Sequence, residues 1–285
     1  MNNNKVVGID IGGSHITAAI IDLEAHTIIR GSLIRRSVDA KNSAEQIIKE
    51  WSNAIVSCKE FDATTCDKIG IAMPGPFDYD KGTSLITGLD KFETLYKLNI
   101  KELLAKELDI TPADIFMMND ANCFLKGEVF GGAATGCNNV IGITLGTGLG
   151  SAIYKEAKVF DGDLYYAPYK DATAEDYLSA RWFLKRYHKL TGITAKDVKE
   201  IREQDIETAI LLFAEFGDNL GHVLSAFSKK HQILTIVLGG NLVKAWDLFI
   251  AETEKVFASN AQNVTTVKAT LGEEAALMGA GSLCL

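Results

Sequence analysis

The sequence predicts an α/β fold built from two similar halves, and three observations support this. An apolar stretch ending in a glycine-rich turn occurs twice, as VVGIDIGGS at 6–14 and VIGITLGTG at 140–148. Strand-like and helix-like stretches alternate along the whole 285-residue chain. No linker rich in Pro, Ser or Gly separates the halves, so we expect them to pack closely, with a ligand cleft where they meet.

The first half begins with strands. Residues 5–36 contain three β-branched runs separated by turns, which predicts an antiparallel meander. Residues 43–60 place apolar side chains on one helical face, which predicts a helix. The remaining predicted elements are strands at 68–73 and 115–120 and helices at 100–108 and 121–132.

The second half opens in the same way, since VIGITLGTG is followed by a strand-turn-strand stretch, SAIYKEAKVF. The spacing of Thr173 with Asp176, and of Thr194 with Asp197, is typical of a capping box. It predicts helices near 174–190 and 195–204. The remaining predicted elements are helices at 205–230, 242–258 and 273–285 and strands at 233–240 and 264–270.

The composition is that of an ordinary globular protein, with 47% hydrophobic and 23% charged residues. The net charge is −8, and no run of Lys or Arg exceeds a pair. We therefore expect neither nucleic acid nor an anionic membrane as the main partner. No segment approaches 18 uninterrupted apolar residues, so a cytoplasmic protein is the default expectation.

The cysteines are odd in number and scattered, and none forms a CxxC pair. This predicts reduced thiols in preference to disulfides or a metal site. The residues concerned are Cys58, Cys66, Cys123, Cys137 and Cys284.

The repeated glycine-rich turns have three interpretations. The Walker pattern GxxxxGK[ST] is absent, and the segments after the turns read as strands where a dinucleotide fold needs a helix. The third interpretation is a β-hairpin tip whose N–H groups face an anion. One such turn alone would favour a plain tight hairpin. Two equivalent turns, with a further Gly239-Gly240 pair, favour phosphate binding from two sides.

The chain resembles the ROK family (repressor, open reading frame, kinase) of sugar kinases, in the actin-like ATPase superfamily. The resemblance covers nearly the whole chain. The matching motifs are GIDIGGSHI (8–16), GIAMPGPFD (70–78), NDANCFLKGE (119–128), GITLGTGLGSAI (142–153) and VLGGNL (237–242).

The resemblance implies two ribonuclease-H-like domains. We place them at 1–118 and 119–271, with the terminal helix at about 272–285 packing back on the first. It also implies glucokinase-like, ATP- and Mg²⁺-dependent phosphorylation of a hexose or related sugar, and it is compatible with a homodimer.

Asp120 is the candidate general base. An Asp where a strand ends and a helix begins is often only a helix cap. The resemblance implies instead that this carboxylate takes the proton of the attacking sugar hydroxyl. Phosphoryl transfer depends mainly on positioning and charge neutralisation, so the base is one contribution among several.

Asp10 lies within an apolar strand, where a charge is costly unless it is paired, hydrogen-bonded or near a cation. It either accepts N–H bonds from its own turn or, as the resemblance implies, orients Mg²⁺ through water. Its counterpart in the second half is the uncharged Thr144. The candidate phosphate- and ATP-binding residues are Asp10, Gly12, Gly13, Ser14, Gly146, Thr147, Gly148, Gly150, Gly239 and Gly240.

Sugar binding is assigned by resemblance to Pro74-Gly75, Asn119 and Asp120. Asp90 is placed where the family has an asparagine, Asp163 where it has a glutamate, and Tyr166 where it has a histidine. Glu175 matches a family glutamate but equally suits the first turn of a helix capped by Thr173. The family's zinc-binding cysteines are missing from 162–179, so we expect no zinc.

A second hypothesis is a nucleotide- or sugar-binding regulator on the same fold with little catalysis. ROK repressors carry an N-terminal helix-turn-helix. Here the first phosphate strand begins by residue 6, so such a regulator is expected to act through protein contacts.

Overall fold

The computed structural model describes residues 4–62 and 67–285. The chain forms two compact units, Met1–Gly136 with Glu273–Leu285, and Cys137–Gly272. The boundary follows Gly136, later than the expected 118. The reason is that the helix Asp120–Gly131 packs on the terminal helix Ala275–Gly281 within the first unit.

The first unit is built on one mixed sheet with strand order β3-β2-β1-β5-β8, in which β4 also pairs with β2. The strands of this unit are β1 (Lys5–Ile11), β2 (His15–Asp22), β3 (Thr27–Ile28), β4 (Ile34–Ser37), β5 (Ile69–Met73), the short hairpin β6 (Phe77–Asp78) and β7 (Thr83–Ser84), and β8 (Ile115–Asn119). The antiparallel pairing of β1, β2 and β3 is confirmed. The predicted third run splits around Gly31 (φ 87°), and β4 turns back onto β2.

Three predicted helices of the first unit are confirmed as α1 (Ala44–Lys59), α2 (Ile100–Leu108) and α3 (Asp120–Gly131). One face of the sheet carries the apolar core with Trp51 of α1. On the other face, the terminal helix packs so closely against the sheet and α3 that their backbones are in contact. A Cβ on Gly70 or Gly127 would collide with carbonyl groups of the terminal helix. This close packing fixes the start of α3 at the end of the sheet.

The second unit repeats the topology, with strand order β11-β10-β9-β14-β15. In both sheets the third strand pairs antiparallel with the second and parallel with the fourth. The predicted fold class, a duplicated ribonuclease-H-like α/β fold, is confirmed. The strands of this unit are β9 (Asn139–Leu145), β10 (Leu149–Lys155), β11 (Lys158–Asp161), the hairpin β12 (Pro168–Tyr169) and β13 (Ala172–Thr173), β14 (Thr235–Gly239) and β15 (Thr265–Lys268).

The helices of the second unit are α4 (Ala174–Tyr177), α5 (Ala180–Thr191), α6 (Val198–Gln204), α7 (Ile206–His231) and α8 (Ile250–Ser259), and the terminal helix is α9 (Ala275–Gly281). The capping box at Thr173 is confirmed, but the helix it starts is interrupted before Ser179. The predicted cap at Thr194 is wrong, because Asp197 caps α6 and accepts the N–H of Glu200. The predicted helix at 242–258 begins as a 3₁₀ turn and bends at Ala245.

Within residues 4–62 and 67–285, no helix combines the length and apolar character needed to cross a membrane. Cys58, Cys123, Cys137 and Cys284 carry reduced thiols, as predicted. Cys66 lies outside the described residues.

Candidate active site

Two carboxylates of the first unit lie at the carboxyl ends of β1 and β8, the parallel strands on either side of β5. Asp10 on β1 is in register with Ala72 on β5, and Ala72 is in register with Met118 on β8. Asp120 follows two residues after Met118, as the first residue of α3. The topology therefore brings together two acidic side chains that are far apart in sequence.

Asp10 is part-buried, and its pKa is raised to about 6. Burial is the largest cause, and the negative charge of Asp120 adds to it. Arg35 acts in the opposite direction, but its guanidinium lies 3.0 Å from Glu273 and is thereby partly neutralised. The negative charges of Asp10 and Asp120 are therefore only partly balanced by nearby positive charge.

Asp120 is not itself the cap of α3. Asn119 holds that position, and its Oδ1 accepts the N–H of Ala121 at 2.9 Å. Asp120 keeps access to solvent, and its Oδ1 accepts the same N–H at 2.9 Å. Surrounding protein removes part of its hydration and raises the pKa of the carboxyl, while that N–H and the charge of Lys91 oppose the shift. A raised pKa makes the carboxylate a better proton acceptor.

The first hairpin turn, residues 12–14, leaves backbone donors unused. The N–H of Gly12 donates to the carbonyl of His15 at 2.9 Å, and Ser14 Oγ lies 2.8 Å from His15 Nδ1. Across the described part of the chain, no hydrogen bond involves the N–H of Gly13 or Ser14. Two adjacent N–H groups without a protein acceptor are suited to binding an anion.

The second hairpin turn, residues 146–148, is closed by a hydrogen bond from the N–H of Gly146 to the carbonyl of Gly148, at 3.1 Å. The N–H groups of Thr147 and Gly148 have no acceptor among the described residues. Gly240 adjoins this turn, because a Cβ there would overlap the backbone of Leu145, and its φ is 91°. The glycine pair at the end of β14 thus lies beside the turn, with Gly239 buried and Gly240 exposed.

Glu175 lies against the second turn. Its Oε2 accepts the N–H of Leu149 at 2.9 Å, and a Cβ on Gly148 would lie 2.7 Å from the same oxygen. Arg181 forms an ion pair with Glu175. The residue predicted to contact sugar therefore stabilises the second turn.

Several candidate sugar residues of the first unit lie next to each other. Asn119 Nδ2 donates to the hydroxyl of Tyr79 at 3.3 Å, and that hydroxyl donates to the carbonyl of Met73 at 2.9 Å. A Cβ on Gly75 would lie 3.2 Å from the same hydroxyl. Pro74 beside it is buried. Tyr79 was not identified as a site residue from the sequence, although it directly follows the motif GIAMPGPFD.

The other candidate sugar residues lie elsewhere. Asp90 is exposed and 2.9 Å from Lys41 Nζ. In the second unit, Asp163 has a left-handed backbone (φ 53°) and Tyr166 is exposed, with its ring edge-on to Tyr165. Burial raises the pKa of Tyr165, and the charge of Asp163 contributes. A sugar-binding role for these residues stays a prediction.

The donor groups of the first unit can accommodate Mg²⁺ with few protein ligands. Within the described residues, no group of three or more His, Cys, Asp or Glu side chains is placed to hold a metal ion. Mg²⁺ often uses only one or two carboxylates, with water and substrate phosphates completing its shell. Asp10 beside Asp120, with its raised pKa, is a site of unbalanced negative charge that suits such a cation.

Several known sugar kinases are similar to this chain. Over 98% of the chain, it is 24% identical to the glucokinase of Thermotoga maritima, of which 96% is covered. It is 25% identical to an N-acetyl-D-glucosamine kinase of Haemophilus influenzae, with 98% of each chain covered. The structure of a ROK family glucokinase from Streptomyces griseus, in complex with glucose and AMPPNP, superposes with a TM-score of 0.76 at 23% identity, over 98% of each chain. That likeness shows a shared fold.

The family itself is established by a broader match. The sequence profile of the ROK family matches residues 6–168 and 169–285, which is nearly the whole chain. The resemblance inferred from the five motifs is confirmed, and the chain belongs to the ROK family.

Proposed function

We propose that this protein is an ATP-dependent sugar kinase that phosphorylates a hydroxyl group of a hexose or related sugar. The observation that carries the proposal is the position of Asp120, an accessible carboxylate of raised pKa beside Asp10 at the end of the first sheet. The relatives named as glucokinase and N-acetyl-D-glucosamine kinase, which align over 98% of the chain, support a sugar as acceptor.

Asp120 acts as the general base in this proposal. It takes the proton of the sugar hydroxyl as that oxygen attacks the γ-phosphorus of ATP. Asn119 fixes the start of α3 and so orients Asp120, and Tyr79 holds the amide of Asn119. The acceptor sugar would lie against Asn119, Gly75 and Asp120.

Phosphate binding is assigned to the unused N–H groups of each turn, those of Gly13 and Ser14 and those of Thr147 and Gly148. Gly150, Gly239 and Gly240 would allow the nucleotide to approach the backbone of the second unit. Mg²⁺, oriented by Asp10 through water, would neutralise phosphate charge. The cysteines that bind zinc in the family are absent from residues 162–179 of this sequence.

The first experiment is a coupled assay of ADP release over a panel of hexoses, amino sugars and N-acyl sugars. Turnover of one class identifies the acceptor. ATP binding without turnover on any sugar would favour the regulator hypothesis instead.

The second experiment tests the base. Asp120→Asn is expected to lower kcat by about 10²- to 10⁴-fold, because the amide cannot accept the proton. AMPPNP binding, measured by calorimetry, should survive. Asp109→Asn is the matched control, since Asp109 is exposed and asparagine tolerates its left-handed backbone. Full activity of the Asp120 variant would refute the assignment.

A further inference from the structure

Lys91 lies beside the first turn but outside the five family motifs. A Cβ built on Gly13 would lie 3.6 Å from Lys91 Cδ, so the lysine stem runs along the tip of the turn. The charge of Lys91 also lowers the pKa of Asp120. The same side chain therefore adjoins the proposed phosphate turn and is close enough to act on the proposed base.

The backbone around Lys91 is firmly held. Phe92 is fully buried, its ring packs edge-on against Trp51, and its N–H donates to the carbonyl of Ala40 at 2.8 Å. Asp90 and Phe92 both have left-handed backbones, with φ of 55°. Such values are uncommon without glycine and persist only where the surroundings impose them. The position of the Lys91 backbone is thus set by the fold.

The ammonium group of Lys91 forms no ion pair with the described residues, although its charge acts on Asp120 from further away. The adjacent Asp90 pairs with Lys41 at 2.9 Å. In the part of the chain that the structure describes, none of the ion pairs within 4.0 Å uses Lys91. Its charge remains available for a ligand.

An anion at this place needs such a charge. Asp10 and Asp120 already repel each other, since the charge of Asp120 adds to burial in raising the pKa of Asp10. A terminal phosphate bound at Gly13 would add further negative charge next to both carboxylates. A lysine ammonium is a compact point charge well suited to a phosphate oxygen.

We infer that Lys91 binds the γ-phosphate of the nucleotide and neutralises it during transfer, an inference that rests on the proposed kinase function. In that step the sugar oxygen bonds to the γ-phosphorus while the bond from the γ-phosphorus to the bridging oxygen breaks. Its electron pair leaves with ADP, and the hydroxyl proton passes to Asp120. Lys91 stays protonated throughout and contacts the transferred group.

The test compares two nucleotides on Lys91→Met, which keeps the length of the stem. We expect the affinity for AMPPNP to fall about tenfold and that for ADP, which lacks the γ-phosphate, to change less than twofold. With sugar and ATP, kcat should fall about 10²-fold while the KM for sugar stays within twofold, since a charge acting on the transition state is lost. Lys91→Arg should recover most of the kcat.

Lys106→Met is the matched control, because Lys106 is an exposed lysine on α2. It should leave all these values unchanged. Equal losses of AMPPNP and ADP affinity in Lys91→Met, or no loss of either, would overturn the inference. Absence of turnover by the wild-type protein on every sugar would count against the proposed function, and the two nucleotide affinities would still decide the role of Lys91.

Discussion

The hairpin turns of the two units have the same frame but different chemistry. Asp10 and Thr144 occupy equivalent registers, since Asp10 is opposite Thr17 and Ala72, and Thr144 is opposite Gly150 and Gly239. Among the residues that the structure describes, each turn has two N–H groups without an acceptor. Duplication of a sheet therefore preserved the backbone donors, while the side chains at the strand ends diverged.

The acidic groups reach the two turns by different routes. In the first unit the carboxylates lie at the carboxyl ends of β1 and β8, and they are near enough for Asp120 to contribute to the raised pKa of Asp10. In the second unit Glu175 arrives from α4, takes a backbone N–H and is paired with Arg181. The first arrangement suits a cation and proton transfer, whereas the second suits stabilisation of the loop.

In this comparison of the two turns, the largest effect is expected between the equivalent positions Asp10 and Thr144. Asp10→Asn should lower kcat/KM about 10- to 100-fold and raise the Mg²⁺ concentration needed for half-maximal rate, because a group orienting the cation is lost. Thr144→Val, the equivalent change in the second unit, should cost less than about fivefold in the same assay, since a neutral hydroxyl makes a weaker contribution. Equal losses from the two variants would break the comparison.

A second effect concerns stability as a function of pH. The pKa of Asp10 is about 6 in the folded protein against an ordinary value of 3.8, so folding favours the protonated form. The stability gained from protonated Asp10 is fully present below pH 3.8 and is lost as the pH rises through about 6.

Asp10→Asn removes the titrating carboxyl group, and with it the loss of stability at high pH. Its free energy of unfolding should exceed that of the wild type by about 1–3 kcal/mol at pH 7.5 in EDTA, and by much less at pH 4. Urea unfolding at the two pH values measures the difference. Asp109→Asn serves as control, and a variant no more stable than wild type at pH 7.5 would contradict the expectation.

The smallest effect is expected at the second turn. Glu175→Gln keeps an oxygen for the N–H of Leu149 but removes a negative charge, leaving Arg181 unpaired. With less negative charge beside the turn, AMPPNP binding should become about two- to fivefold tighter. The effect is small because a solvent-accessible ion pair is worth about 1 kcal/mol at most. Calorimetry at low and moderate salt measures this, and weaker binding would mean that the carboxylate itself supports the nucleotide.

Much of the fold could be predicted from the amino-acid sequence alone. The repeated strand-turn motif predicted the duplicated fold, because the same apolar strand and glycine-rich turn occur once in each half. The apolar spacing of α1 and the capping box at Thr173 predicted local structure correctly, since those signals act over a few residues. NDANCFLKGE and its companion motifs identified the family.

Other features depended on contacts distant in sequence. The break before Ser179 and the bend at Ala245 interrupt stretches that helical spacing alone would continue. The first unit extends to Gly136 because α3 packs on α9, from the other end of the chain.

The electrostatics were likewise decided by tertiary structure. The sequence by itself determined two turns and a candidate base. It could not reveal that Asp120 raises the pKa of Asp10, or that Lys91 lies against Gly13. Burial and charge proximity depend on which strands become neighbours, and only the folded sheet sets that.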